Sequence, residues 1–495
     1  MKNRSASQCF ILTLKLNTSK QQDCILDKRF RLAVLMQNRL IAHARKCLSA
    51  VRRDKEYREA LRDYGQATVT GNETARRKAV AVLNRLHSQY GLSLGEFEKW
   101  IKIQQHIYKK DIDSNTSQKI AKRVWSAVSA VLYRKGKSVH FKVGNTVNSI
   151  EGKSNNAGIR FRDKRVEWLG LSICPQIRNG DRYARQALTH DVRYCRIVRK
   201  AMGKSYHYYV QLVLGGTPPK KHEFRADGRV GIDPGTSTEA IVSERGCILT
   251  EICPERKDIS QKAAELQRHL DRSRRAGNPE NYNPNGTVKP RSKRSRWRNS
   301  KAYLTAMMKL KTLRRRNADT VKCFERRLAN TILTDHGTDI ITEKMNYQAL
   351  QRRAKNTSVI EKTGRSNSKK RFGASLARHA PARFLTILEQ KLGYIQKTIN
   401  YVNTANYKAS QYDHSTDQYH PVGLGNRWKS IHGQPVQRDL YSAFLLMNAE
   451  SPDHPDKSEC IRTFQNFIKN HDACIERLHA LKASGTKLPK SFGLG

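Results

Sequence analysis

An α+β chain of several domains is what this sequence predicts, and three observations carry the prediction. Segments that alternate apolar and polar residues occur near the N-terminus and again between residues 139 and 214. A long block with helical periodicity lies between them. Beyond residue 229, strand, turn and helix signals follow one another around three isolated acids.

The elements follow in chain order. Phe10-Ile-Leu-Thr-Leu-Lys-Leu alternates and reads as a strand. From about 25 to 51 the apolar spacing becomes helical, with Leu32, Leu35, Arg39 and the Leu40/Ile41 pair among interleaved Arg and Lys. Further helix is expected over 73–89 and 117–133, where Ile120, Val124 and Val128 share a face. Residues 25–134 thus form a basic helical block. After Gly136 come β segments: Val139-His-Phe-Lys-Val, Ile159-Arg-Phe-Arg, Val192 to Val198 and Tyr206 to Leu214. Together with the N-terminal strand (1–24 and 135–220) they predict a small antiparallel barrel that the helical block interrupts. Gly215-Gly-Thr-Pro-Pro is a linker. Residues 221–495 then form the third region. It holds a polar loop (277–299) and a basic helix (300–334) with Leu310, Leu313, Val321, Phe324, Leu328 and Ile332 along one side. Arg352 to Arg371 reads as a basic mobile loop, and no internal repeat is evident.

Charge narrows the function classes. The 495 residues carry 94 Lys and Arg against 43 Asp and Glu, a formal net charge of +51 spread over the whole length. So large a charge repels itself in a compact state and is tolerable beside a polyanion, so nucleic acid is the expected partner. Between Lys289 and Asn330 there are fifteen bases and two acids, too unequal for internal pairing. Arg294, Arg296, Arg298, Arg314, Arg315, Arg316, Arg326, Arg327, Arg352 and Arg353 are therefore the candidate phosphate contacts. No apolar run reaches the length of a membrane span, and no signal-peptide core is present. Ten scattered cysteines without a Cys-x-x-Cys pair predict reduced thiols and a cytoplasmic protein.

Against this background the acids stand out. Asp233 lies in Val-Gly-Ile-Asp-Pro-Gly, a strand running into a turn, and Glu343 in Asp-Ile-Ile-Thr-Glu, at the end of a buried-strand signature. Asp439 opens a helix in which Leu440, Ala443, Phe444 and Met447 share a face. Taken singly, a turn Asp and a helix-start Asp have simpler explanations, the latter being the helix dipole. Taken together they are three hard oxygen donors of the kind that hold Mg²⁺. A pair of such ions, with Mn²⁺ as a substitute, drives in-line phosphodiester hydrolysis.

The order strand–Asp, strand–Glu, Asp–helix resembles the RuvC-type nuclease domain, an RNase H-like α/β fold. Gly-Ile-Asp-Pro-Gly, Thr-Glu-Lys-Met and Gln-Arg-Asp-Leu-Tyr-Ser-Ala-Phe are similar to the three RuvC segments of transposon-encoded TnpB proteins, relatives of compact type V CRISPR effectors. The N-terminal layout resembles that family's β-barrel wedge domain interrupted by a helical recognition lobe. The resemblance implies a monomeric RNA-guided DNA endonuclease of the bacterial or archaeal cytosol. Its partners would be a guide RNA and a target DNA with a short flanking motif, with Asp233, Glu343 and Asp439 as catalytic metal ligands. The family commonly carries a four-cysteine zinc ribbon before the last acid; here no cysteine lies between Cys323 and Cys460. His414, His420 and His432, with Asp413 or Asp417, lack ribbon spacing, so no zinc is expected in 405–437. Packing by Tyr412, Tyr419 and Trp428 is expected to replace it. The rival readings are a DDE-type DNA transposase, a guide-dependent DNA-binding protein without cleavage, and a basic ribosomal factor.

Overall fold

Alternation builds the first sheet. In the strand Cys9–Leu16 every second residue, Phe10, Leu12, Leu14 and Leu16, is buried, and the others face outward. The computed structural model describes residues 8–133, 136–142, 147–220, 222–225, 227–352, 359–360, 365–366, 372–421, 423 and 425–494. They divide into two compact units, Met1–Pro219 and Lys220–Gly495.

In the first unit Cys9–Leu16 pairs antiparallel with Ser205–Gly215, Leu12 facing Leu212. That strand pairs in turn with Val192–Met202 across a turn at Gly203, whose φ is 65°. Ser149–Glu151 and Pro175–Gln176 form the two edges. The five strands make an open sheet, not the closed barrel that the sequence predicts. The edge strands have only three and two residues, too short to meet each other and close it. A separate three-stranded sheet holds Arg160–Arg162, Arg165–Trp168 and Leu171–Ile173. The predicted strand at Val139 does not form over 139–142, and Val143 lies outside the described residues. Five helices occupy the predicted helical block, the first running Lys20–Arg53 from a capping box of Ser19 and Gln22. Arg29 of that helix is buried, donating to the carbonyls of Trp168 and Leu169 and lying 4.5 Å from the Trp168 ring.

The second unit is layered about a mixed sheet. Its order is Gly246–Glu251, Thr238–Ser243, Arg229–Pro234, Asp339–Glu343, Asn400–Val402. The first three strands are antiparallel neighbours, while Asp339–Glu343 runs parallel to the strands on either side. One face packs Val230, Ile232, Ile241 and Ile340 against the helices Lys301–Thr331 and Pro381–Gly393. The other packs Ala240, Val242 and Ile341 against Arg438–Met447 and Lys457–Ala483. The polar loop of the sequence reading is more ordered than expected. The helix Ser260–Ala276 precedes it, Arg274 lies 3.9 Å over Trp297, and Asn278 and Asn281 are fully buried.

Helix Arg438–Met447 sits unusually close to the central strand. A Cβ on Gly231 would lie 1.9 Å from the Ala443 carbonyl oxygen and 2.5 Å from the Met447 nitrogen. Both obstacles are helix backbone, so nothing there can rotate away. Gly231→Ala is expected to cost at least about 3 kcal/mol, the upper part of the usual overpacking range. Thermal unfolding of the purified chain checks this through a midpoint several degrees lower. An unchanged midpoint would mean the helix can stand further from the sheet.

Candidate active site

Asp233 and Glu343 come together because their strands are parallel neighbours in register. Ile341 lies beside Gly231 and Thr342 beside Ile232, so the next residues are Glu343 and Asp233. The Thr342 hydroxyl donates to the Ile232 carbonyl at 2.7 Å and pins that register. By strand alternation both acids point to the face shared by Gly231 and Ile341, where helix Arg438–Met447 packs. Asp439 is the second residue of that helix. Its start is fixed twice: the Gln437 side chain caps the Leu440 N–H at 2.8 Å, and the Gln437 N–H donates to His471 Nε2 at 3.0 Å.

Charge shows how closely the three converge. Burial pushes the Asp233 carboxyl well above the usual carboxylate range, and the charges of Glu343 and then Asp439 push it further. Arg438 pulls the other way. Burial likewise raises Glu343. Asp439 accepts from Arg438 twice on one oxygen, from Nη2 at 2.9 Å and Nε at 3.2 Å, and Arg427 Nη1 lies 3.9 Å from the other. Asp233 therefore lies within electrostatic reach of both Glu343 and Asp439. As the side chains stand, no three His, Cys, Asp or Glu among the described residues enclose a metal-sized site. The chemistry of the set nonetheless fits Mg²⁺. It consists of hard carboxylate oxygens, one desolvated and repelled by the other two, which is the imbalance a divalent cation relieves.

A fourth acid escaped the sequence reading. Glu239 is fully buried, and among the described residues neither carboxyl oxygen has a hydrogen-bond partner. It pairs with Pro234 in register and so points to the opposite face of the sheet from Asp233. Burial raises its pKa well above the usual range, with Asp233 and Glu325 adding to the shift. Glu325 is itself gripped by Arg383 through bonds of 2.6 and 3.0 Å. The only sequence signal was a charged residue inside the buried run Thr-Glu-Ala-Ile-Val.

The arginine candidates divide. Arg296, Arg298, Arg314, Arg316, Arg326 and Arg352 are exposed. Arg315 is half-buried and paired with Asp319, and Arg327 is exposed but paired with Glu255. Arg294 is half-buried, and its Nε is buried without a hydrogen-bond partner among the described residues. Arg353 and most of the expected mobile loop lie outside the described residues. Within that stretch Val359–Ile360 pairs with Arg365–Ser366.

The segment before Asp439 forms two small hairpins, Tyr412–Asp413 with Gln418–Tyr419 and Trp428–Ile431 with Gln434–Gln437. Aromatic packing holds them. The Tyr412 and Tyr419 rings are 5.1 Å apart, and Trp428 donates to the Gly493 carbonyl at 2.8 Å. His414 is fully buried, its Nδ1 2.7 Å from the Tyr441 hydroxyl, and burial lowers its pKa to about 4. Its ring lies 5.3 Å from that of His432, while His420 is exposed.

No protein-family description matches the sequence, and no curated protein does. Among solved structures the chain is similar to a Cas12f1–sgRNA–target DNA complex at 10% identity and a TM-score of 0.41. It is also similar to a CRISPR–Cas12f ternary complex at 12% identity and a TM-score of 0.27. Each comparison covers 89% of this chain and 99% of the other.

Two measurements follow from this geometry. Glu239 holds a proton in the folded chain that the unfolded chain has already released above the ordinary carboxylate pKa. Its contribution to stability should therefore be fully present below that pKa and decline as pH rises through the raised value. Glu239→Gln should flatten that decline in pH-dependent melting; an identical slope would mean the carboxyl finds a partner. Arg314→Ala with Arg316→Ala should weaken nucleic-acid binding across all sequences. The log–log salt slope should drop by about 0.7 to 0.9 for each phosphate no longer neutralised. Adding Arg315→Ala should change the slope less, because Asp319 already pairs it.

Proposed function

We propose that this chain is an RNA-guided DNA endonuclease that hydrolyses phosphodiester bonds at a single RuvC-like site of RNase H-like fold. The observation that carries the reading is the convergence of Asp233, Glu343 and Asp439 on one face of a sheet, in a chain of net charge +51. Acids gathered where a polyanion binds are costly unless cations join them. Asp233, Glu343 and Asp439 would hold two Mg²⁺, or Mn²⁺ in their place, and the bound ions supply water activation and counter-charge for the leaving oxygen.

The remaining residues bind and position. The exposed arginines of the 301–331 helix and the loop before it hold backbone phosphates without reading sequence. Sequence is read by pairing between guide RNA and target, while residues 1–24 and 135–220 as a wedge-type domain and 25–134 as a recognition lobe grip duplex shape and a flanking motif. Residues 221–495 form the nuclease domain, and the chain acts as a monomer.

Asp233→Ala, Glu343→Ala and Asp439→Ala should each abolish cleavage of a guide-matched DNA while leaving guide and target binding, measured without divalent metal, within about twofold, since the acids make no attractive contact with phosphate. Gel cleavage assays with and without EDTA, beside binding assays, check this. Normal cutting by all three folded variants would sink the proposal. Strand joining without RNA would instead identify a transposase.

A further inference from the structure

Arg438 grips the last acid of the trio and acts on the charge of the first. Its Nη2 and Nε share one oxygen of Asp439, at 2.9 and 3.2 Å, and its Nη1 donates to the Asn426 carbonyl at 3.2 Å. Its own N–H donates to the Arg427 carbonyl at 2.9 Å. The Arg438 side chain is 10% exposed and that of Asp439 17%, so little water screens the pair. Arg438 also acts on Asp233. Arg427, 28% exposed, approaches the second Asp439 oxygen from the same hairpin base. Thus Asp439 meets two guanidinium groups before any cation or phosphate reaches it.

A guanidinium and a divalent cation compete for the same carboxylate oxygen, whereas a guanidinium and a phosphate attract each other. Arg is suited to such exchange because its planar fork fits carboxylate and phosphate alike. The geometry points to Arg438, assisted by Arg427, as an exchangeable counter-ion. It neutralises Asp439 in the nucleic-acid-free chain and transfers to a backbone phosphate of the bound strand, releasing the carboxylate to a metal ion. Phosphate and metal binding then favour each other, and neither alone completes the site. This inference rests on the three-acid reading above, and it makes Arg438 a positioning residue for Asp439.

Mn²⁺ binding to the full chain, followed by electron paramagnetic resonance without guide RNA, tests it. A short single-stranded DNA oligonucleotide should raise the wild-type Mn²⁺ affinity about fivefold or more, the lower end of ordinary coupling, after subtraction of Mn²⁺ bound by DNA alone. Arg438→Gln should bind Mn²⁺ that much tighter without DNA and gain little further from it. Unchanged Mn²⁺ affinity in Arg438→Gln, or full coupling retained, would overturn the exchange. Should that variant fail to fold, Arg427→Gln carries the test, with a smaller rise expected and no rise counting against it. Asp439→Asn separates the two ideas. If it binds Mn²⁺ as well as wild type, the metal reading of the site fails. If it loses Mn²⁺ while Arg438→Gln behaves as wild type, only the exchange fails.

Discussion

Much of the second unit depends on one close approach, that of helix Arg438–Met447 to the central strand at Gly231. With no side chain at Gly231, the helix backbone comes within the distance at which a Cβ would overlap Ala443. That proximity lets the start of the helix reach the acids at the end of the strand. Around it the helix is almost wholly buried, with Leu440, Tyr441, Phe444, Leu445 and Leu446 at zero exposure. Phe444 stacks on Phe467 at 4.4 Å, tying it to the last long helix. Asp439 is the one residue of the helix that is only partly buried.

Electrostatics then divides the sheet. A strongly basic chain has little reason to bury unpaired acids, yet the strands around Asp233 carry them on both faces. On one face the charges of Glu343 and Asp439 act against that of Asp233, which Arg438 partly balances. On the other, Glu239 has no hydrogen-bond partner among the described residues, while Glu325 of helix Lys301–Thr331 is matched by Arg383. An unpartnered buried carboxyl stays neutral to avoid the cost of desolvating a charge, so Glu239 is best understood as an acid that keeps its proton.

The hairpins before Asp439 show a second solution to a local problem. A short, strand-poor segment must be rigid enough to place Gln437 and Arg438 at the helix start. Here that rigidity comes from apolar burial: Tyr407, Tyr412 and His414 are fully buried, and the Tyr407 hydroxyl donates to the Leu445 carbonyl at 2.6 Å. The neutral His414 ring packs 4.9 Å from Phe464 and 5.8 Å from Phe444. Aromatic contacts of this kind add modestly beyond their buried area, and several together hold the segment.

Local pattern was enough to read several elements. Alternation in Cys9–Leu16 and Ser205–Gly215, helical spacing in Glu73–Gln89 and Lys301–Thr331, and the strand–Asp, strand–Glu, Asp–helix order are properties of neighbouring residues. Any chain with those side chains must bury one face, so they are visible without coordinates. Sheet closure was not visible, because it depends on the length and stagger of edge strands far apart in sequence. The burial of Glu239 was equally hidden, since its face is chosen by a register shared with Asp233. The pairing of Asp439 with Arg438 and Arg427, and of Arg315 with Asp319, needed the fold as well. Sequence supplies the charges, but only tertiary structure decides which of them already have partners, because Coulomb attraction depends on distance and burial and not on order along the chain.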